Sequence, residues 1–331
     1  MSAAADPALL EHATRTIAVG SKSFAAAARL FDEGTRRSVL MLYAWCRHCD
    51  DVVDGQELGF NAVPRQPDDA ARQLALLIEQ TRRAYAGETM RDPAFAAFQE
   101  VAQRHRIAPR YAFDHLAGFA MDVDGARYET IDDTLRYCYH VAGVVGLMMA
   151  QIMGARDEAV LDRACDLGLA FQLTNIARDI VEDAEAGRCY LPAAWLREAG
   201  IAPHEVAQPR HREALARVAA RLVDHAEPYY DSAAAGIAAL PTRSAWAIAT
   251  ARNVYRQIGI EVKRRGPHAW DQRVGTSKAT KLWLLAKGGV SALGSRLAGL
   301  PARRTGLWQR PQAAADEPAA GVPRAAHAAG A

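Results

Sequence analysis

The sequence predicts an all-α fold organised as one large domain, and three observations carry that reading. Ala, Leu, Arg and Glu dominate, with apolar residues recurring at intervals of three and four. Alternating runs rich in Val, Ile and Thr, the mark of strands, are scarce. Breakers then cut the chain into pieces of helical length: Gly55 to Pro67, Gly87, Pro109, Gly125, Gly187 to Pro192, Pro203 to Pro209, Pro241 and Gly266–Pro267. With 331 residues, 50% of them hydrophobic, a sizeable core can form, which excludes a disordered chain, a collagen and a coiled-coil rod. No short fixed period suggests a solenoid. The domain is expected over residues 1–300. From Pro301 the chain turns to Pro, Ala, Gly and Arg, and residues 301–331 read as a disordered, low-complexity tail.

Charge and cysteines narrow the classes. Forty Lys and Arg stand against 38 Asp and Glu, a net charge of +2, which does not suggest a bulk nucleic-acid binder. Five cysteines (Cys46, Cys49, Cys138, Cys165, Cys189) without a secretory pattern point to a reduced, cytoplasmic setting. The longest apolar run, Val141 to Met153, is shorter than the ~20 residues of a membrane span. Cys46-Arg47-His48-Cys49 has the outline of a zinc half-site but no second half follows. Neither G-x-x-x-x-G-K-[ST] nor G-x-G-x-x-G occurs, so nothing announces a nucleotide fold.

Two segments combine a greasy helix with a narrow polar line. In residues 36–54, Tyr43, Arg47, Asp50 and Asp54 fall within an arc of about 60° at ~100° per residue. Val39, Leu40, Met41, Leu42, Ala44, Trp45, Val52 and Val53 cover most of the remaining surface, as in a core helix. In residues 164–183, Gln172, Asn175, Asp179 and Asp183 fall within about 80°, again among apolar neighbours. Carboxylates one turn apart repel each other and are costly to bury unless paired or bound to metal. Two such rows call for cations between them. Oxygen ligands without a His/Cys cluster favour Mg²⁺ or Mn²⁺, which takes one or two carboxylates and completes its shell with water and phosphate. The expectation is a helix-bundle cavity holding a phosphorylated substrate between acidic walls. The plainer alternative is a set of salt-bridge ladders, with Arg47 neutralising Asp50 or Asp54 and Gln172 and Asn175 serving as core amides.

Were that substrate an allylic diphosphate, its departure would leave a carbocation needing a dry, partly aromatic cavity. Residues 137–150, YCYHVAGVVGLMMA, suit such a wall: Ala142, Gly143, Gly146 and Ala150 are small enough for a hydrocarbon to approach, or for helices to pack tightly. Phe24, Tyr137, Val141, Val145 and Phe171 are further wall candidates. Ser21, Lys22 and Ser23, near a helix start, suit phosphate or an ordinary cap. Arg36, Arg37, Arg178, Arg188 and Arg273 are candidate diphosphate donors.

YAWCRHCDDVVD, YCYHVAGVVG and QLTNIARDIVEDAEAGRCYLP, in that order, resemble the first acidic motif, the tyrosine–glycine segment and the second acidic motif of the squalene/phytoene synthase family. The likeness runs from GSKSF to WDQRVGTSKATKLWLL, leaving out only the tail, although Gly20 stands where some relatives place a histidine. It implies an all-α isoprenoid-synthase bundle around a central cavity. It implies head-to-head joining of two geranylgeranyl diphosphates, through the cyclopropyl intermediate prephytoene diphosphate, into phytoene, the first committed step towards carotenoids. Mg²⁺ or Mn²⁺ is implied as cofactor, no NADPH is expected, and a dependence on ATP is compatible with the likeness. By motif position, Asp50 and Asp54 would bind metal at one diphosphate site, and Asn175, Asp179 and Asp183 at the other. Ser21, Lys22, Ser23, Tyr43, Arg47, Gln172, Arg178 and Tyr255 would contact substrate. Tyr137 would sit near the reacting carbons and Arg273 near a diphosphate.

Other readings remain open at this stage: a squalene or dehydrosqualene synthase using farnesyl diphosphate, a chain-elongating prenyltransferase, or a non-catalytic helical interaction module. Elongating enzymes usually carry D-D-x-x-D at both sites, which Asn175-x-x-x-Asp179-x-x-x-Asp183 fits poorly. Residues 280–300 mix apolar side chains with Lys281, Lys287 and Arg296, as an interfacial helix does, so peripheral contact with the inner membrane surface is a further expectation, beside the plainer reading of a final core helix followed by a tail. Carotenoid-pathway enzymes are partners that the family likeness implies.

Overall fold

The structure is a computed structural model that describes residues 7–20, 22–55, 67–275, 277–294 and 302–312. Among these residues there are helices and turns but no strands, as the breaker pattern predicts. The helices are α1 (Pro7–Gly20), α2 (Lys22–Ala28), α3 (Glu33–Asp54), α4 (Pro67–Tyr85), α5 (Pro93–His105), α6 (Pro109–Val123), α7 (Ile131–Cys138), α8 (Val144–Ile152), α9 (Glu158–Glu185), α10 (Ala193–Glu198), α11 (Arg212–Gly236), α12 (Thr242–Arg265) and α13 (Lys278–Gly294).

The long helices start and stop on local chemistry. The Asp32 carboxylate accepts from the Thr35 amide at 3.0 Å and opens α3, while Gly55, at φ 66°, closes it one residue after Asp54. The Asp157 carboxylate accepts from the Ala159 amide at 2.8 Å and opens α9. Thr130 and Asp133 form a reciprocal capping box on α7. Between α7 and α8 the chain makes one π-helical turn, Tyr139–Gly143, of the kind often found at functional sites.

Two helices dominate the packing. α3 buries Val39, Leu40, Met41, Leu42, Ala44, Trp45 and Val53 against α1, α4 and α5, and Trp45 stacks on Phe98 with ring centroids 4.1 Å apart. α9 runs along α8, α11 and α12. Its crossing with the π-turn and α8 brings backbone against backbone. A Cβ on Gly146 would stand 2.4 Å from the Ala164 carbonyl oxygen, and one on Gly168 would stand 2.4 Å from that of Ala142. The small residues of the tyrosine–glycine segment therefore do both things the sequence allows. Gly143 and Gly146 seat the crossing against α9, while Val141, Ala142, Val145, Gly146 and Ala150 line the cavity.

The expected tail departs from its sequence reading in one part. Residues 302–312 lie against the outside of α9 and α11. The Arg303 guanidinium grips Asp166, and Arg310 is held by Asp162 at 2.7 Å and by Glu158. Leu307 is buried, and the Trp308 ring lies 5.5 Å from that of Tyr139. Composition pointed to disorder, but two arginines matched to three acids and one tryptophan anchor suffice to seat this stretch. Residues 313–331 lie outside the described residues.

Candidate active site

α3, α6, α7 with the π-turn, α8, α9, α11 and α12 enclose a cavity of about 560 Å³. α3 supplies Tyr43, Arg47 and Asp50, and α9 supplies Phe171, Gln172, Asn175 and Arg178. Phe24, Tyr137, Val141, Ala142, Val145 and Tyr255 complete the walls expected from the sequence, and Arg188 and Arg273 border the polar end. The aromatic pairs are ordered: Phe171 stacks on Tyr255 with centroids 4.2 Å apart, and Phe24 lies 5.6 Å from Tyr43.

The acids divide into those with an arginine of their own and those without. Asp54 and Asp179 are not themselves on the lining, and each is gripped by arginines that are. Arg188 donates to both oxygens of Asp54, with Nη1 at 3.1 Å. Arg178 is bidentate to Asp179, with Nε at 2.8 Å, and Arg273 adds a third bond at 3.2 Å. These contacts push the Arg188 and Arg178 pKa values upward, for Arg188 mainly through its hydrogen bonds to Asp54 and for Arg178 against the opposing effect of burial.

Asp50 and Asp183 are different. Asp50 shares Arg47 with Asp51, at 3.0 and 2.6 Å. Burial pushes its pKa up to about 7 despite Arg47, with Asp54 and Asp51 adding to the rise, although 39% of its side-chain surface stays open. Asp183 is likewise pushed up to about 7, by burial first and then by Asp179 one turn away.

These features fit a divalent cation. Asp50 has only an arginine shared with Asp51, Asp183 has no ion pair within 4.0 Å among the described residues, and the buried Asn175 Oδ1 has no hydrogen-bond partner among them. No group of three or more His, Cys, Asp or Glu side chains among the described residues forms a complete metal cage. The arrangement suits an ion that takes few protein oxygens and fills its shell with water and phosphate. Ser21 lies outside the described residues, as do the side chains of Lys22 and Ser23, so the expected phosphate contact there has no geometry. Two candidate donors are corrected. Arg36 is exposed and Arg37 is committed to Glu100 at 2.8 Å, and neither lines the cavity.

A family profile described as squalene/phytoene synthase matches residues 17–280. The chain belongs to the squalene/phytoene synthase family. The 15-cis-phytoene synthase of Pantoea ananas is 65% identical over 92% of this chain and 99% of its own length. The phytoene synthase of Pseudescherichia vulneris is 62% identical over 92% of this chain and 99% of its own. Among solved structures, a dehydrosqualene synthase in complex with ligand superposes with a TM-score of 0.77 at 28% identity, covering 87% of this chain and 97% of that one. The squalene synthase HpnC of Alicyclobacillus acidocaldarius, at 24% identity and a TM-score of 0.68 over 78% of this chain and 94% of its own, shares the fold.

The cavity also holds residues that the sequence reading missed. Asp122, on α6, lines the cavity and accepts the hydroxyls of Tyr137 at 3.1 Å and Tyr190 at 3.0 Å, and the two tyrosine rings stack at 4.5 Å. Burial pushes Asp122 up to about 6, with Arg188 and the two hydroxyls pulling the other way. Its only sequence signal was a single acid between Met121 and Val123. His115 also lines the cavity, and burial lowers its pKa to about 4, so it is neutral at physiological pH. Its Nδ1 faces the His140 carbonyl at 3.2 Å.

Proposed function

We propose that the protein is a 15-cis-phytoene synthase, joining two geranylgeranyl diphosphates head to head. The observation that supports it best is a single cavity with an apolar, aromatic body and one end bordered by two acid–arginine walls, in a chain more than 60% identical to named phytoene synthases. Bound Mg²⁺ would supply charge neutralisation and Lewis-acid pull on the leaving diphosphates, held by Asp50 and Asp54 on one wall and by Asn175, Asp179 and Asp183 on the other.

The chain's own residues do the rest. Arg47, Arg178, Arg188 and Arg273 share the charge developing on the diphosphates. As the first diphosphate departs, its C1 is attacked by the double bond of the second substrate, and loss of a proton closes the cyclopropane. The second diphosphate then leaves, the cation rearranges, and loss of another proton sets the central double bond, so no reductant is consumed. Phe171, Tyr255 and Tyr137 line the cavity in which these cations would form. The apolar lining keeps water from quenching them. Asp122 fixes the Tyr137 hydroxyl.

No helix among the described residues is long and apolar enough to cross a membrane. α13 packs one face on α12 and leaves Trp283 and Val290 exposed, with Lys287 over the Trp283 ring at 5.1 Å. That surface supports peripheral contact with a membrane, where a long hydrocarbon product would be released.

The test is incubation with labelled geranylgeranyl diphosphate or farnesyl diphosphate and Mg²⁺, without NADPH, followed by mass analysis of the hydrocarbon. Phytoene from the longer substrate is expected. A thirty-carbon product in preference would move the assignment to dehydrosqualene synthesis.

A further inference from the structure

One buried side chain in the cavity wall carries an electron pair that the fold leaves unused. His115, on α6, is 3% exposed and lines the cavity with Phe119 and Val141. Its Nδ1 lies 3.2 Å from the His140 carbonyl. A carbonyl oxygen only accepts, so Nδ1 carries the proton and Nε2 of the neutral ring carries a lone pair. Nε2 is buried and has no hydrogen-bond partner among the described residues. A buried acceptor left in that state calls for an explanation.

The π-turn is what selects this tautomer. In an α-helix the Val144 amide would claim the His140 carbonyl, but here it reaches past it to the carbonyl of Tyr139. The His140 oxygen is thereby spared for the His115 ring. Two further bonds fix the turn on α6: His140 Nδ1 meets the Asp114 carbonyl at 2.8 Å, and the Tyr139 hydroxyl donates to the Asp114 carboxylate at 2.7 Å. The helix is also pressed on the turn, since a Cβ on Gly118 would stand 2.7 Å from Val141 Cγ1. The rings of Trp45 and Phe119, with centroids 5.5 and 5.0 Å from that of His115, hold the imidazole from its other sides.

We propose that His115 presents its Nε2 lone pair to the prenyl carbocations and stabilises them as a fixed dipole. The inference rests on the prenyl-diphosphate reading above. Charge balance supports it. Arg47, Arg178, Arg188 and Arg273 suit departing diphosphates but repel the positive carbon left behind. Aromatic faces offset part of that repulsion, and a lone pair offsets more. The ring must be neutral to serve, because an imidazolium would repel the cation as well. Burial, which lowers its pKa to about 4, keeps it so. Depth supports the inference too. His115 stands two turns of α6 before Asp122, about 10.5 Å along the axis, and so away from the polar end that Asp122 shares with Arg188. A ring locked in place needs no reorganisation when charge appears beside it. His140 and Asp114 are positioning residues, acting through His115.

The experiment uses the full chain with Mg²⁺ and inorganic pyrophosphate, and two probes of geranylgeranyl length that lack a diphosphate. One has a sulfonium centre in place of C3, positive and without an N–H; the other has an uncharged C–H there. The readout is the ratio of their Kd values, and the wild-type protein is expected to prefer the sulfonium. His115→Phe keeps the bulk of the ring and loses the lone pair. His115→Asn can still donate to the His140 carbonyl but is too short to carry an acceptor to the Nε2 position. Both should lower the preference about tenfold, chiefly by weakening the sulfonium probe, and should lower kcat with KM little changed. A preference retained by both variants, or lost in His115→Phe but kept in His115→Asn, would overturn the inference and leave His115 a packing residue tied to the π-turn. A wild-type protein that binds the two probes equally would count against carbocation chemistry in this cavity, and would sink the reading above and the inference together.

Discussion

α9 carries two rows of polar side chains with the same four-residue spacing and opposite fates. Near its start, Glu158, Asp162 and Asp166 face residues 302–312, and every one is gripped by an arginine from that stretch. Near its end, the row of Asn175, Asp179 and Asp183 has only Asp179 fully held, while Asp183 is pushed up to about 7 and Asn175 Oδ1 lacks a partner among the described residues. The first row is complete, and the second still needs positive charge. Spacing alone does not separate a structural row from a functional one; what separates them is whether the protein itself supplies the cations.

The comparison can be broken at its functional end first. Asp179→Ala, or Asp50→Ala on the facing wall, should lower turnover by about 10³-fold or more with the folded state retained, as expected when charge stabilisation at a leaving group is lost. Near-wild-type rates with unchanged circular dichroism would remove that wall from metal binding. At the structural end the expectation reverses. Asp166→Ala leaves Arg303 without its buried partner and should cost about 3–5 kcal/mol of stability, seen as a shifted denaturant midpoint. A midpoint within error of wild type would mean the tail is not clamped as described.

The acids without an arginine of their own sharpen the contrast through pH. Asp50 and Asp183 have folded pKa values raised above the ordinary carboxylate range, so their neutral forms favour the apo fold at low pH, and that contribution fades as pH rises through about 7. A divalent ion needs the ionised forms. The melting temperature without metal should therefore fall between about pH 4 and 7 and level off above, while the increment given by Mg²⁺ plus a diphosphate analogue grows up to about pH 7. A pH-independent increment would detach these carboxylates from the ion. The smallest change is expected from Phe171→Ala, which removes the stack on Tyr255 and should cost up to about 3 kcal/mol while altering the product ratio. Unchanged products on mass analysis would take Phe171 out of the reacting space.

The legibility of the molecule follows the range of its interactions. Tyr43, Arg47 and Asp50 on α3, and Gln172 and Asn175 on α9, were readable because helical periodicity places them on one face, and the structure sets both faces on one cavity. Asp122 with Tyr137 and Tyr190 was not, because the three come from separate segments and share no periodicity. Glu158, Asp162 and Asp166 were as regular as the functional rows. Their meaning depends on Arg303 and Arg310, more than 130 positions later, in a stretch whose composition argues against order.

The crossing of α9 with the π-turn and α8 constrains how such an enzyme can change its product. Main chain meets main chain at Gly146 and Gly168, so those helices cannot close up further, and any added side chain would wedge them apart. The spacing of these two walls is fixed from below. Evolution, or a designer, seeking another product has no room to draw this wall inward and is left, along it, with replacing individual lining side chains.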